Sequence, residues 1–377
     1  MRVRQLELIE VQVPARPGSI SPPELNRPLH KLEQDGQAGW TRQFDEFTKW
    51  ILVATCDDGT TGLGESYRGI RPSVLETFAR SLLGCPVEQL RWSELPLARC
   101  REYDAIEILV LDLLGKYARL PVSHLLGGGV RDHVLVSAWS SHRTPAGAAE
   151  VAQAALEQGM HHIKFKCSLE DDVVAWATEI HSACGDRMQV ILDPNERWEE
   201  LRLAAEIARG LEFVGNVKLI EDPLPHWDLG AYGELRARTR IPIAYHAALG
   251  YAAHGQKPED VILAIRERAC DVFNLSGSVS EFMRMSAVAD LAHIPYWHGS
   301  EVDLGILEAA YVHGAAAAPG CTVPSDIFGR RIREHDLLAT PLQLQGEWVK
   351  VPSGAGLGVE LDLESLAAYE KARLVVK

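Results

Sequence analysis

Beyond residue 160, short apolar runs repeatedly end on charged residues, and segments of helical period lie between them. His161-His162-Ile163-Lys164-Phe165-Lys166, Ile191-Leu192-Asp193-Pro194-Asn195 and Leu219-Ile220-Glu221-Asp222-Pro223 are three such runs. β-Branched and other apolar residues fill a few positions before a Pro, Asn or Ser stops them, which predicts strands with their charges at the C-terminal ends. Between them, residues Val173 to Ala183 and Leu201 to Leu211 repeat apolar positions at spacings of three and four, which predicts helices. The rhythm continues through Ile241-Pro242-Ile243-Ala244-Tyr245-His246, Asp271-Val272-Phe273-Asn274-Leu275 and Ile294-Pro295-Tyr296-Trp297-His298, and an upstream member runs from His133 to Trp139.

A strand, a helix and two loops need about 25–30 residues, and right-handed crossovers between parallel strands put all C-terminal ends on one side. Lys164, Lys166, Asp193 and Glu221 are therefore expected to converge. Seven or eight such units close into a TIM-type barrel, whose active site forms at that face; an open doubly wound sheet is the competing arrangement. Residues 1 to about 130 differ. Strand-like runs at Gln5 to Val13 and Phe47 to Cys56, an Asp58-Gly59 turn, and helices over Pro72 to Leu83 and Tyr103 to Leu114 predict an α+β domain. Residues 14–45, rich in Pro and charge, read as a long loop of the kind that forms lids.

A chain of 377 residues with 46% hydrophobic content can bury a large core in each of two domains. Its net charge of −14 argues against nucleic acid and anionic membrane as partners. Seven scattered cysteines without a Cys-x-x-Cys pair fit reduced thiols in a cytoplasm. The charged start Met1-Arg2-Val3-Arg4 lacks the apolar core of a signal peptide. Gly62-x-Gly64 reads as a strand end rather than a phosphate cradle, and Gly127-Gly128-Gly129 as a hinge.

In its ordered motifs the chain resembles the enolase superfamily, in particular the mandelate racemase and muconate lactonizing enzyme group. The early part matches through Asp57-Asp58-Gly59-Thr60-Thr61-Gly62-Leu63-Gly64-Glu65, Leu111-Asp112-Leu113-Leu114-Gly115-Lys116 and Leu125-Leu126-Gly127-Gly128. The later part matches through Lys164-x-Lys166, Asp193-Pro194-Asn195, Glu221-Asp222-Pro223, His298-Gly299-Ser300 and the tail from Gly354 to Leu361. The resemblance implies an α/β fold, a modified TIM barrel of the (β/α)7β kind over residues 131–344. An α+β capping domain of residues 1–130, completed by residues 345–377, would sit on it. It also implies symmetric homo-oligomers and a small-molecule carboxylate substrate. In this family Mg2+ on three carboxylates stabilises an enediolate after a base removes the proton α to a carboxylate, since a hard cation and fixed donors must meet the developing charge.

Carried over residue by residue, Lys166 matches the base and Lys164 its electrostatic partner, while Asp193 and Glu221 match two metal ligands. Asp193 and Glu221 also read as plain ion-pair partners of the lysines. The pattern departs at the third ligand. Ala247 aligns there, with His246 beside it as the available metal donor, and an imidazole with two carboxylates suits zinc, manganese or iron better than magnesium. It departs again at Phe273-Asn274-Leu275-Ser276-Gly277, which carries neither the aspartate nor the lysine of the family's sixth strand. His298 is then expected to be a general acid. Asn195, His142 and Glu301 are the candidate substrate contacts, with Glu301 also placed to orient His298. One base and one acid suit a sugar-acid-type dehydratase. The alternatives are a racemase or epimerase of a carboxylate, and a metal-free barrel that has lost catalysis and serves binding or assembly.

Overall fold

The structure is a computed structural model and describes residues 1–25, 48–247 and 258–377. The N-terminal part holds strands β1 (Val3–Val11), β2 (Lys49–Cys56) and β3 (Thr61–Glu65), followed by helices α1 (Pro72–Ser81), α2 (Tyr103–Ala118) and α3 (Val122–Leu125). Then come β4 (His133–Leu135), β5 (Ala138–Ser140), α4 (Pro145–Glu157), β6 (His162–Lys166), α5 (Val173–Cys184), β7 (Gln189–Asp193), α6 (Leu201–Val214) and β8 (Val217–Glu221). The alternation goes on with α7 (Leu229–Arg238), β9 (Ile243–Ala247), α8 (Asp260–Arg266), β10 (Val272–Leu275), α9 (Val279–Leu291), β11 (Tyr296–His298), α10 (Gly305–Ala317) and α11 (Gly329–Ile332). The tail carries β12 (Leu344–Gln345), β13 (Trp348–Lys350), α12 (Leu363–Tyr369) and β14 (Glu370–Val376).

Strands β5 to β11 form one seven-stranded parallel sheet in sequence order. Its two edges are joined by residues 321–326, which bridge Tyr296 at Cys321 and Val136 at Ser325, both in the parallel sense. Backbone bonds Ser325 N–H to Leu135 O (2.8 Å) and Asp326 N–H to His298 O (2.9 Å) complete the closure. This is a modified TIM barrel. The expected first strand from His133 to Trp139 is two elements: β4 turns away to pair with β13, and only β5 joins the barrel.

Several helices start where a side chain satisfies a first-turn N–H group. Thr144 caps α4 ahead of Pro145, Asp172 caps α5 and Asp228 caps α7, while α6 ends on Gly215 at φ 87°. Inside the barrel Ile191, Leu219, Ala244, Val272 and Trp297 form one layer, one residue from each of five strands. That layer floors the mouth.

The cap is a four-stranded antiparallel sheet ordered β14-β1-β2-β3, so the C-terminal strand completes the N-terminal sheet. Lys49 of β2 is buried against Glu65 Oε1 of β3 and Asp303 Oδ1 of the barrel, both at 2.5 Å. Of the segment 14–45 expected to be a long loop, residues 26–45 lie outside the described residues. Its start is packed: Arg16 N–H donates to Ile332 O at 2.7 Å, and Ile20 joins Trp139, Val302, Phe328 and Ile332 in a small apolar cluster. All seven cysteines are unpaired, and among the described residues no helix is long and apolar enough to cross a membrane.

Candidate active site at the barrel mouth

Strand period two decides which side chains face the barrel interior. On β6 it turns Lys164 and Lys166 inward together, and Ile163 and Phe165 out into the core beneath the helices. Lys164 Nζ lies 2.6 Å from Glu221 Oε2, 2.8 Å from Asp326 Oδ2 and 3.1 Å from Asp193 Oδ2. Lys166 Nζ is 2.5 Å from the same Asp193 Oδ2. Burial works against the charge of Lys164, but Asp326, Glu221 and Asp193 outweigh it and hold the ammonium well above the usual lysine range. Burial opposes the Glu221 charge too, yet the Lys164 ammonium prevails and keeps that carboxyl below its ordinary range. The convergence expected from the strand endings is present. Its form is an ion-pair network.

On β9 the inward residue is His246, while Ala247 turns outward and is fully buried in the core under the helices. Alignment put Ala247 at the ligand position, and the pleat puts His246 there instead. Both ring nitrogens of His246 are engaged, Nδ1 by Asn274 Nδ2 at 3.1 Å and Nε2 by Ser276 Oγ at 2.6 Å. Asn274 of β10 also donates to Glu221 Oε1 at 2.7 Å. Gly299 leaves the room this cluster needs, since a Cβ there would overlap Asn274 Oδ1 and Ser276 Oγ.

His298 is not at the mouth. It follows the inward Trp297 on β11 and so turns outward, where its ring lies 4.3 Å from Phe282 and 4.1 Å from Tyr311 between centroids. Nδ1 bonds Gly299 O at 2.7 Å, and burial lowers the imidazole to about 4. It sits as a core histidine, away from the place where the sequence led us to expect a general acid. Glu301 does reach the mouth, beside Lys164, Lys166, Asp326 and Arg68. Its partners are Arg101 Nη2 at 2.6 Å and Arg68 Nε at 3.6 Å, so it does not orient His298.

His142 is buried with Nδ1 2.7 Å from Asp171 Oδ2, an oxygen that also accepts Ser168 N–H at 2.9 Å. The pair ties the loop after β5 to the loop after β6, which is a scaffold contact. Asn195 donates its backbone N–H to Asp193 Oδ1 at 3.1 Å from a left-handed backbone at φ 45° and so steadies that carboxylate. Two residues escaped the sequence reading. Asp326 follows Cys321-Thr322-Val323-Pro324-Ser325, a mixed run that Pro324 keeps from reading as a strand. Arg68, from the cap after β3, had no signal in its neighbourhood.

Glu221, Asp222 and His246 place one ligand atom each within 4.8 Å of one another, enough to hold some ion. Magnesium needs near-octahedral oxygen ligation. Here Lys164 faces Asp193 and Glu221, Asn274 takes the other Glu221 oxygen, and the third expected ligand is an imidazole already bonded on both sides. Asp222 Oδ1 accepts the His246 backbone N–H at 2.9 Å and faces His226 Nε2 at 2.8 Å. The residues do not fit a magnesium ion.

A closed eight-membered parallel barrel with lysines and carboxylates at its C-terminal mouth, under an antiparallel sheet completed by the C-terminal strand, defines a capped enolase-type barrel. Residues 147–366 match the family model described as enolase C-terminal domain-like, more than half of the chain. Muconate cycloisomerase 1 of Pseudomonas putida is 27% identical over 374 residues, covering 92% of this chain and 94% of its own. The solved muconate lactonizing enzyme from Pseudomonas fluorescens, complexed with muconolactone, is 27% identical with a TM-score of 0.78 over 98% of this chain and 99% of that one. An N-succinyl Arg/Lys racemase from Bacillus cereus shares the fold along the whole of both chains, with a TM-score of 0.82 at 19% identity. The chain belongs to the enolase superfamily, in its mandelate racemase and muconate lactonizing enzyme group.

Proposed function

We propose that this protein moves the proton α to the carboxylate of a small organic acid with one lysine, Lys166, serving one face of the substrate. The reaction class is addition or elimination across the adjacent bond, as in lactone formation or its reversal. The observation that carries this reading is the asymmetry of the mouth. Lys164 is locked among three carboxylates, whereas Lys166 pairs with Asp193 at 2.5 Å and lines the pocket. Lys166 takes the proton in one direction and returns it in the other, and Asp193 orients its amine. The charge that develops on the substrate's carboxylate oxygens meets the Lys164 ammonium, in a buried place where such a charge counts for far more than in water.

A sugar-acid dehydratase is the member of this class in which hydroxide leaves. The acid expected to assist that departure, His298, stands outside the mouth, so a reaction in which Lys166 handles the only proton fits better. A racemase needs a second base facing Lys166. The β10 position carries Asn274, whose amide is not a base, and His246 has both nitrogens bonded. Two relatives at 27% identity are named as a muconate cycloisomerase and a muconate lactonizing enzyme, which agrees with lactone formation or its reversal. The metal-free binding or assembly alternative shares the misfit to magnesium, but it gives no role to Lys166 lining the pocket.

The test is incubation in D2O with a panel of lactones, unsaturated diacids, hydroxy acids and N-acyl amino acids, followed by NMR. The expected result is deuterium at one α-position with retained configuration, reduced by at least about 10^3-fold in Lys166→Ala, as for loss of a group acting as both acid and base. Incorporation with inversion, or undiminished exchange in the variant, would sink the reading.

A further inference from the structure

We propose that Lys164 is the resident cation of this barrel, its ammonium occupying the place among the strand-end carboxylates where a divalent ion would otherwise be bound. Three carboxylates from separate parts of the barrel surround one nitrogen: Glu221 of β8 at 2.6 Å, Asp326 of the closing segment at 2.8 Å and Asp193 of β7 at 3.1 Å. The ammonium donates a hydrogen bond to Asp326 Oδ2, and Glu221 and Asp193 face its charge as ion pairs. Below it lies the Trp297 ring, 5.6 Å from Nζ to the centroid, which offers its negative face to the charge. Only the butyl chain of Lys164 is then needed to anchor the cation, and no ion has to be recruited.

The remaining oxygens point the same way. Glu221 Oε1 accepts from Asn274, Asp193 Oδ1 accepts from the Asn195 backbone, and Asp193 Oδ2 is shared with Lys166. The position on β9 from which a third carboxylate would complete a metal site carries His246, bonded through both nitrogens. Asn274, Ser276 and Gly299 together build the space that His246 fills. A histidine rather than a carboxylate on β9 and an amide donor on Glu221 have one effect, a smaller affinity for a hard divalent ion. The chemistry at the mouth then runs against a fixed ammonium charge. This inference concerns what neutralises the carboxylates and holds whichever reaction Lys166 serves.

The experiment uses the full chain stripped with a chelator and titrated with Mn2+ by electron paramagnetic resonance, alongside thermal melts in millimolar Mg2+. Wild-type protein should show no Asp193-dependent Mn2+ binding and an unchanged melting temperature. Lys164→Met leaves three carboxylates uncompensated. It should melt lower than wild type, bind Mn2+ at least about tenfold more tightly, and regain melting temperature on adding the ion, by linkage of binding to folding. One Mn2+ per wild-type chain, lost in Asp193→Asn, would overturn the proposal, as would a Lys164→Met variant that binds no more tightly than wild type. If Lys164→Met does not fold, the comparison of wild type with Asp193→Asn decides alone.

Discussion

At the scale of single residues, the mouth is governed by which of two neighbours a pleat turns inward. Trp297 faces the Lys164 ammonium and His298, one position on, is stacked between Phe282 and Tyr311. Burial holds His298 neutral down to about 4, against an ordinary value of 6.5. The unfolded chain gains a proton there between those values and the folded chain does not. The contribution is therefore complete above about pH 6.5 and is lost as pH falls towards 4, by about 3 kcal/mol in full. In His298→Phe the acid side of the stability curve, measured by urea unfolding across that window, should be flatter than in wild type; parallel curves would contradict the assignment. Gly299→Ala should destabilise by about 1–3 kcal/mol, because the added methyl overlaps Asn274 and Ser276 and the cluster around His246 has to shift. Chemical denaturation measures this, and an unchanged midpoint would mean the cluster yields freely.

At the scale of elements, the first turn of one barrel helix is where side chains join cap and barrel. Helix α9 opens with a capping box in which Ser278 Oγ accepts the Glu281 N–H at 3.3 Å and Glu281 Oε2 accepts the Ser278 N–H at 3.2 Å. The cap domain reaches the same turn: Arg99 donates to Ser278 Oγ at 3.1 Å and to Ser280 Oγ at 2.8 Å, and Glu107 Oε2 accepts the Ser280 N–H at 3.1 Å. Ser278→Ala should cost about 1 kcal/mol, in the range for a lost cap, with faster amide exchange confined to the first turn of α9. Loss of protection over the whole barrel would show the cap to be part of a larger unit. Register within the sheet matters as much. A slip of one residue on β6 would send Lys164 and Lys166 into the core and Phe165 into the mouth, so the alternation itself protects the site.

At the scale of the molecule, cap and barrel are fastened by charge buried between them. Lys49 pairs with Glu65 and Asp303, Glu65 accepts the backbone N–H groups of Leu304 and Leu307 at the start of α10, and Tyr311 donates to Asp303 at 2.9 Å. The loop carrying Ser300 and Glu301 into the pocket is thus tied to a cap strand. Lys49→Met should cost about 3–5 kcal/mol, the range for removing one partner of a buried pair, because two carboxylates are left facing each other. Exchange of amides 301–308 should accelerate with it, and a variant as stable as wild type would show the joint to be held by apolar contact alone.

Much of this was legible in the primary structure, for physical reasons. Strand and helix periods are local properties, so the βα rhythm, and with it the convergence of Lys164, Lys166, Asp193 and Glu221, could be read from spacing alone. The family followed from ordered motifs and is supported by the match over residues 147–366. Other features could not be read this way. Whether His246 or Ala247, and Trp297 or His298, faces inward depends on where each pleat begins, and that is set by hydrogen bonding to neighbouring strands distant in sequence. Asp326 joins the site only because residues 321–326 bridge the two edges of the sheet, a closure of long-range pairs that no local pattern encodes. The sequence by itself determined the barrel and brought Lys164, Lys166, Asp193 and Glu221 to its mouth. Tertiary structure alone decided their partners, and it set three carboxylates around the Lys164 ammonium, because charge neutralisation depends on distances that exist only once the barrel has closed.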